Sequence, residues 1–282
     1  HIIASAVEHP AILNTLKDMA ALGRCTYTLL PVDEDGSVSP EDLEAAIQPD
    51  TCLISVMLAN NEVGTMEPVE ALCRLAHAHD ILFHTDAVQA AGHIPVDAEK
   101  LGVDYMTVAA HKFHGPKGMG ALYIRKGAPL HPFITGGEQE RDLRAGTHNV
   151  PGAVGMACAM EEAVKNMEED VPRITALRDK LIEGILAAVP DARLNGPWQN
   201  RLPQNVSFGF PGVAADRLLM LLDRHGLAAS SSSACLAGSL EPSHVLLAMG
   251  RTEREARSAL RLSLSRCTLE SEIETAMTLI PA

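Results

Sequence analysis

Short apolar runs alternate with helical patterns through the first half of this chain, and that alternation limits its fold more than any other feature. Runs suited to strands lie at 2–6, 26–30, 52–57, 81–84, 104–109 and 120–124. Between them, proline-led segments read as helices. Pro10 stands in a first helical turn, Ser39-Pro40-Glu41-Asp42 opens another helix, and Pro68 leads into Leu72, Leu75 and Ala76. Repeated strand–helix–strand units place neighbouring strands parallel, so the expected class is α/β, a mainly parallel sheet covered by helices.

Open sheets of this kind bind ligands outside the carboxyl ends of their strands. Two of those ends carry reactive groups. The run 81–84 delivers Thr85-Asp86-Ala87-Val88-Gln89, and the run 103–109 empties into Ala110-His111-Lys112 before the glycine-rich turn 115–120. An amine able to form a Schiff base, with an aspartate placed to hold a pyridinium nitrogen, is the protein half of a pyridoxal phosphate site. A solvated loop lysine and a helix-capping aspartate would look the same taken singly.

The character changes after Pro151. A helix over 156–167 is expected to break around Pro172 and resume over 174–188, which places a joint there between a cofactor-binding unit, 1–168, and a smaller α+β unit, 169–282. In the second unit Val206, Phe208 and Phe210 alternate, and Ala215 to His225 form an apolar-faced helix stopped by Gly226. Leu260, Leu262 and Leu264 share one face of a strand whose other face carries Arg261, Ser263 and Ser265.

A formal net charge of −13 opposes nucleic acid as a partner, and no apolar run approaches a bilayer span. The six cysteines contain no C-x-x-C pair, which points to a reducing, cytoplasmic protein, and four of them are expected to pack as small hydrophobes. Cys235 differs: it lies between Ser230-Ser231-Ser232-Ser233-Ala234 and Leu236-Ala237-Gly238-Ser239, a small, polar stretch suited to an exposed, reactive thiol. His77, His79 and His84 suggest a metal, but His77 and His79 fall at i and i+2 on a helix and point apart.

From the cysteine loop outward, the chain resembles the group I cysteine desulfurases of the class V aminotransferase family. The loop residues 231–235 and Ser239-Leu240-Glu241-Pro242-Ser243-His244-Val245 carry that resemblance. So do Glu8-His9-Pro10-Ala11, Asn60-Asn61-Glu62-Val63-Gly64, residues 84–89 and 110–118, Gln139-Glu140-Arg141, Arg144-Ala145-Gly146-Thr147 and residues 260–266, all in family order. The resemblance implies a fold-type I pyridoxal phosphate transferase. It implies conversion of L-cysteine to L-alanine, with the sulfur passed to Cys235 as a persulfide for an iron–sulfur scaffold or other acceptor protein. Phrases such as Asn200-Arg201-Leu202-Pro203 lean toward the nitrogenase-associated branch.

The roles implied are specific. Lys112 would hold the cofactor covalently and shuttle protons, and Asp86 would pair with its pyridine nitrogen. Gln89 and Asn61 would bond near the phenolic oxygen, His9 would stack on the ring and act as acid or base, and His111 would contact the phosphate. Thr147 would reach the phosphate of a neighbouring subunit, which implies a homodimer, and Arg261 would clamp the substrate carboxylate. The resemblance also leads one to expect a phosphate-gripping segment upstream of His1, so the large unit is read as N-terminally incomplete. Ala109 replaces a hydroxyl residue of many relatives, and Glu138 and Asp142 replace glycines. The alternatives are a catalytically silent relative acting by protein binding and a related lyase or aminotransferase.

Overall fold

The computed structural model describes residues 1–231 and 241–282. Six strands form the first sheet: β1 (Ile2–Ser5), β2 (Tyr27–Leu30), β3 (Leu53–Ser55), β4 (Leu82–Asp86), β5 (Tyr105–Ala109) and β6 (Gly120–Ile124). Their order is β2-β1-β3-β4-β5-β6, with every pair parallel except β5 and β6. All six lie within the runs expected to be strands, save that β4 extends to Asp86. The antiparallel β6 follows from chain length, because the short link from Ala109 to Gly120 is too brief for a parallel crossover.

Alternation along β1 assigns the two faces. Ile2 and Ala4 pack with Leu16 of α1 (Pro10–Ala21), whereas Ile3 joins Ile54 and Phe83 in the main core. That core also takes Leu43 of α2 (Pro40–Ala46) and Leu72, Cys73 and Ala76 of α3 (Val69–Ala78). A short α4 (Ala98–Leu101), capped by Asp97, leads into β5. Connections leave β1 and β3 in opposite directions along the sheet, which opens a crevice at the carboxyl ends of these two strands.

The long α5 (Val150–Ala188) corrects one expectation. It runs unbroken for 39 residues with Pro172 inside it. Proline removes one N–H and crowds the carbonyl four residues back, but Pro172 and Glu168 are both exposed, so water can serve the freed carbonyl. Arg173, the next residue, donates to the carbonyls of Thr268 at 2.9 Å and Arg266 at 2.6 Å. The early part of α5 packs Met156 and Met160 near Phe113, and the later part carries Ile174, Leu177, Leu181, Ile182 and Ile185 into a second core.

That second core lies against a sheet of β7 (Arg193–Leu194), β8 (Asn205–Gly209), β9 (Ser230–Ser231) and β10 (Ala259–Ser263), ordered β7-β8-β10-β9 and antiparallel throughout. Around it lie α6 (Ala215–Arg224), α7 (His244–Ala248), α8 (Glu253–Ala256) and α9 (Glu270–Leu279). Leu260 and Leu262 enter the core with Val206 and Phe208, as the alternation required. The cysteines correct a second expectation. Of the five described, Cys73 alone is buried; Cys25 is half-buried, and Cys52, Cys158 and Cys267 are exposed, with all five thiols free. Cys158 lies on the solvent side of α5, and Cys267 lies in a turn between Arg266 and Thr268. No helix among the described residues is long and apolar enough to cross a membrane.

Candidate active site

Three carboxyl-terminal strand ends bring the chemistry together. β1 leads to Glu8 and His9, β4 ends on Asp86, and β5 leads into a single 3-10 turn, Ala110–Phe113, that carries Lys112. His9 caps α1: its Nδ1 accepts the Ala11 N–H at 3.1 Å, so in the neutral ring the proton sits on Nε2. Burial lowers the pKa of His9 from 6.5; Asp86 opposes that shift, and Lys112 and His244 add to it. In this tautomer the neutral ring presents its Nε2–H as a hydrogen-bond donor.

Asp86 is half-buried and accepts the Val88 N–H at 2.9 Å. Burial raises its pKa, while that hydrogen bond and the nearby charges of His9 and Lys112 pull it down. His9, Asp86 and Lys112 are therefore close enough to feel one another. Gln89 follows in the same loop, and its carbonyl accepts from Gln204 Nε2 at 3.1 Å. His111 is exposed on the turn beside Lys112.

The second sheet supplies the opposite wall. Arg261 of β10 donates from Nη1 to the Asn61 carbonyl at 3.0 Å, and its buried Nε has no partner among the described residues. A guanidinium with donors to spare suits a carboxylate ligand. The Asn61 loop can approach this closely because residue 64 is glycine, at φ +80°, where a Cβ would fall 2.8 Å from Asn205 Oδ1. Thr147 stands exposed just before α5. Glu138 and Asp142 are also exposed, and Glu140, Arg141 and Asp142 occupy three consecutive left-handed positions, φ 50°, 57° and 65°. Cys235 lies outside the described residues.

Sequence reasoning gave no role to two buried carboxyls. Glu8 is fully buried, with Oε1 accepting the Met57 N–H at 2.6 Å and Oε2 without a partner among the described residues; burial pushes its pKa well up, against the Met57 bond. Glu62 accepts the Ser243 hydroxyl at 2.5 Å, and burial lifts it to about 7, with Ser243 and Arg261 opposing. His244 Nε2 meets the Glu8 carbonyl at 2.9 Å.

The sequence profile described as aminotransferase class-V matches residues 1–275. The chain belongs to this family. Class-V relatives include a cysteine desulfurase IscS of Dictyoglomus turgidum, 48% identical over 273 residues, covering 97% of this chain and 69% of the relative. A cysteine desulfurase IscS of Methanosarcina thermophila is 47% identical, covering 100% of this chain and 69% of its own length. A solved NifS-like protein superposes with a TM-score of 0.92 at 42% identity, covering 99% of this chain and 73% of that one. These class-V enzymes depend on pyridoxal phosphate, which makes the fold a fold-type I transferase. The residues here fit the group: an amine for its aldehyde, a shielded carboxylate for its ring nitrogen, and an imidazole beside both.

Proposed function

We propose that this chain is a cysteine desulfurase, taking sulfur from L-cysteine, releasing L-alanine and holding the sulfur on Cys235. The observation that carries this reading is the convergence of Lys112, Asp86 and His9 at the carboxyl ends of β1, β4 and β5, with Arg261 reaching the Asn61 loop from the second sheet. Lys112 would hold pyridoxal phosphate covalently and Asp86 its ring nitrogen, with Gln89 and Asn61 at the phenolic oxygen and His111 at the phosphate. The cofactor, when bound, supplies an electron-withdrawing ring that makes bonds next to the substrate amine easier to break.

Arg261 would bind the substrate carboxylate and orient the amino acid, with Asn61 fixing the guanidinium through its carbonyl. Lys112 would move the α-proton, and His9, stacked on the ring, would serve as acid or base beside it. The Cys235 thiolate would attack the substrate sulfur, forming an S–S bond while the C–S bond breaks. That electron pair stays on carbon, which takes a proton to become the methyl group of L-alanine. The persulfide then passes to an acceptor protein such as an iron–sulfur scaffold, serving either nitrogenase or general cluster assembly.

Further parts of the reading go with it. The chain divides near residue 168 into a larger cofactor-binding unit and a smaller one carrying Cys235, supported by two separate sheets and cores. A homodimer would let Thr147 reach a neighbouring subunit's phosphate, and a reducing cytoplasm suits the free thiols.

The test is an absorbance spectrum with added pyridoxal phosphate, before and after L-cysteine. A protein-bound band that shifts with L-cysteine and is lost in Lys112→Ala supports the assignment. Sulfide release lost in Cys235→Ser, with cofactor binding kept, separates a desulfurase from an aminotransferase. A wild-type chain showing free cofactor alone would overturn the reading.

A further inference from the structure

We propose that His93 is a positioning residue for Lys112: by donating Nε2–H to the Lys112 carbonyl, it fixes the short turn from which the lysine projects. The inference rests on the reading of Lys112 as the cofactor-bearing residue.

Lys112 occupies an exacting place with little local support. The turn Ala110–Phe113 is four residues long, has no side-chain cap, and is followed by His114 in the left-handed region at φ 66°. The backbone bonds that hold it include His114 N–H and Gly115 N–H to the Ala110 carbonyl, the latter at 2.8 Å, and Ala110 N–H to the Met119 carbonyl at 3.0 Å. A helix of one turn leaves its last carbonyls without internal partners. His93 Nε2 lies 2.8 Å from the Lys112 oxygen. A carbonyl accepts only, so Nε2 must carry the hydrogen.

The bond orients the peptide joining Lys112 to Phe113, and with it the backbone that aims the lysine. The donor is itself held firmly. His93 N–H bonds the Ala90 carbonyl at 2.9 Å, and Gly92, at φ +78°, lies so close to the turn that a Cβ there would come within 2.6 Å of Phe113 Cβ. The neighbouring cavity, lined in part by Gly92, His93, Phe113 and His114, measures about 20 Å³, room for a single water. Burial lowers the His93 pKa from 6.5, the Lys112 bond opposes this, and His114 and Lys112 add to the lowering, which favours a neutral ring with one donor nitrogen.

His93 also sits seven residues beyond Asp86, in the loop that leaves β4. Asp86 is tied to that loop through Val88 N–H, and Ala90 N–H bonds the Ala87 carbonyl at 3.0 Å. One compact loop thus presents the carboxylate and, through His93, holds the turn that presents the amine. The pairing of β4 with β5 sets the spacing of the two segments, and the His93 bond adds a second tie beyond the strand ends, at the turn itself.

The test combines the wild-type chain with His93→Leu and His93→Gln. Nitrogen-15 spectra of the wild-type imidazole near neutral pH are expected to show a protonated Nε2 and a bare Nδ1. In cofactor-free His93→Leu, amide exchange over residues 110–115 should rise about tenfold, the loss of one hydrogen bond, with the rest of the sheet unchanged. Cofactor affinity, read from the absorbance band, should fall by a similar factor. His93→Gln, whose carboxamide can donate to the same carbonyl, should restore both. A wild-type Nδ1–H tautomer, unchanged exchange in His93→Leu, or a glutamine variant as impaired as leucine would each overturn the proposal. If His93→Leu does not fold, the wild-type tautomer and His93→Gln decide. A wild-type chain with no cofactor band would refute the desulfurase reading instead, while the tautomer and exchange results still decide the role of His93 in the turn.

Discussion

Replacing Glu62 with glutamine should stabilise the protein at about pH 8 and change it little at about pH 5. Glu62 is 5% exposed, accepts the Ser243 hydroxyl at 2.5 Å, and is lifted by burial from an ordinary 4.5 to about 7. Its folded pKa exceeds its unfolded one, so the folded state binds the proton more tightly. Below about pH 4.5 both states carry the proton and there is no difference. Between there and about pH 7 the unfolded chain ionises first, so stability falls as pH rises; above about 7 the loss is complete. One unit corresponds to about 1.4 kcal/mol, which puts the full loss at about 3 kcal/mol. Glutamine keeps the volume and an acceptor for Ser243 but never ionises. Glu67, also lifted by burial to about 7, and Glu8 titrate in both proteins and cancel in the difference. Urea unfolding of both proteins across this pH range reads the effect directly. The difference should grow from under about 1 kcal/mol to about 3 kcal/mol in favour of the variant. A difference constant with pH, or one favouring wild type at the alkaline end, would refute a raised Glu62 pKa.

Asp104→Ala should cost about 3 kcal/mol in urea unfolding, because its fully buried carboxylate accepts the Phe83 N–H at 2.7 Å and holds His77 and Arg125. The exposed half of Arg125 softens that loss, so Asp104→Asn should cost less. Pro172→Ala should raise stability by about 1–3 kcal/mol, since alanine restores the N–H within α5 without disturbing a buried contact. Asp142→Gly should raise stability by about 1 kcal/mol, as glycine adopts φ 65° without a Cβ clash; a lower unfolding midpoint would show that the aspartate side chain holds the loop.

The first sheet was legible because buried parallel strands are written as short apolar runs and their helices begin at visible prolines and caps. Lys112 and Asp86 were legible because their place after those runs says where ligands bind. The two-residue strands β7 and β9 were not: they exist through pairing with β8 and β10, and nothing local requires them. Pro172 misled because a local rule about helix breaking ignores how firmly Arg173 and the core beyond it hold both sides. The buried acids matter most for the site. The formal charge of −13 counts Glu8, Glu62 and Glu67 as fully ionised, whereas burial holds Glu8 protonated well above the usual carboxylate range and brings the other two to about 7. Around these buried acids the protein is therefore less negative than its sequence states. Composition says little about a region whose acids burial pushes up.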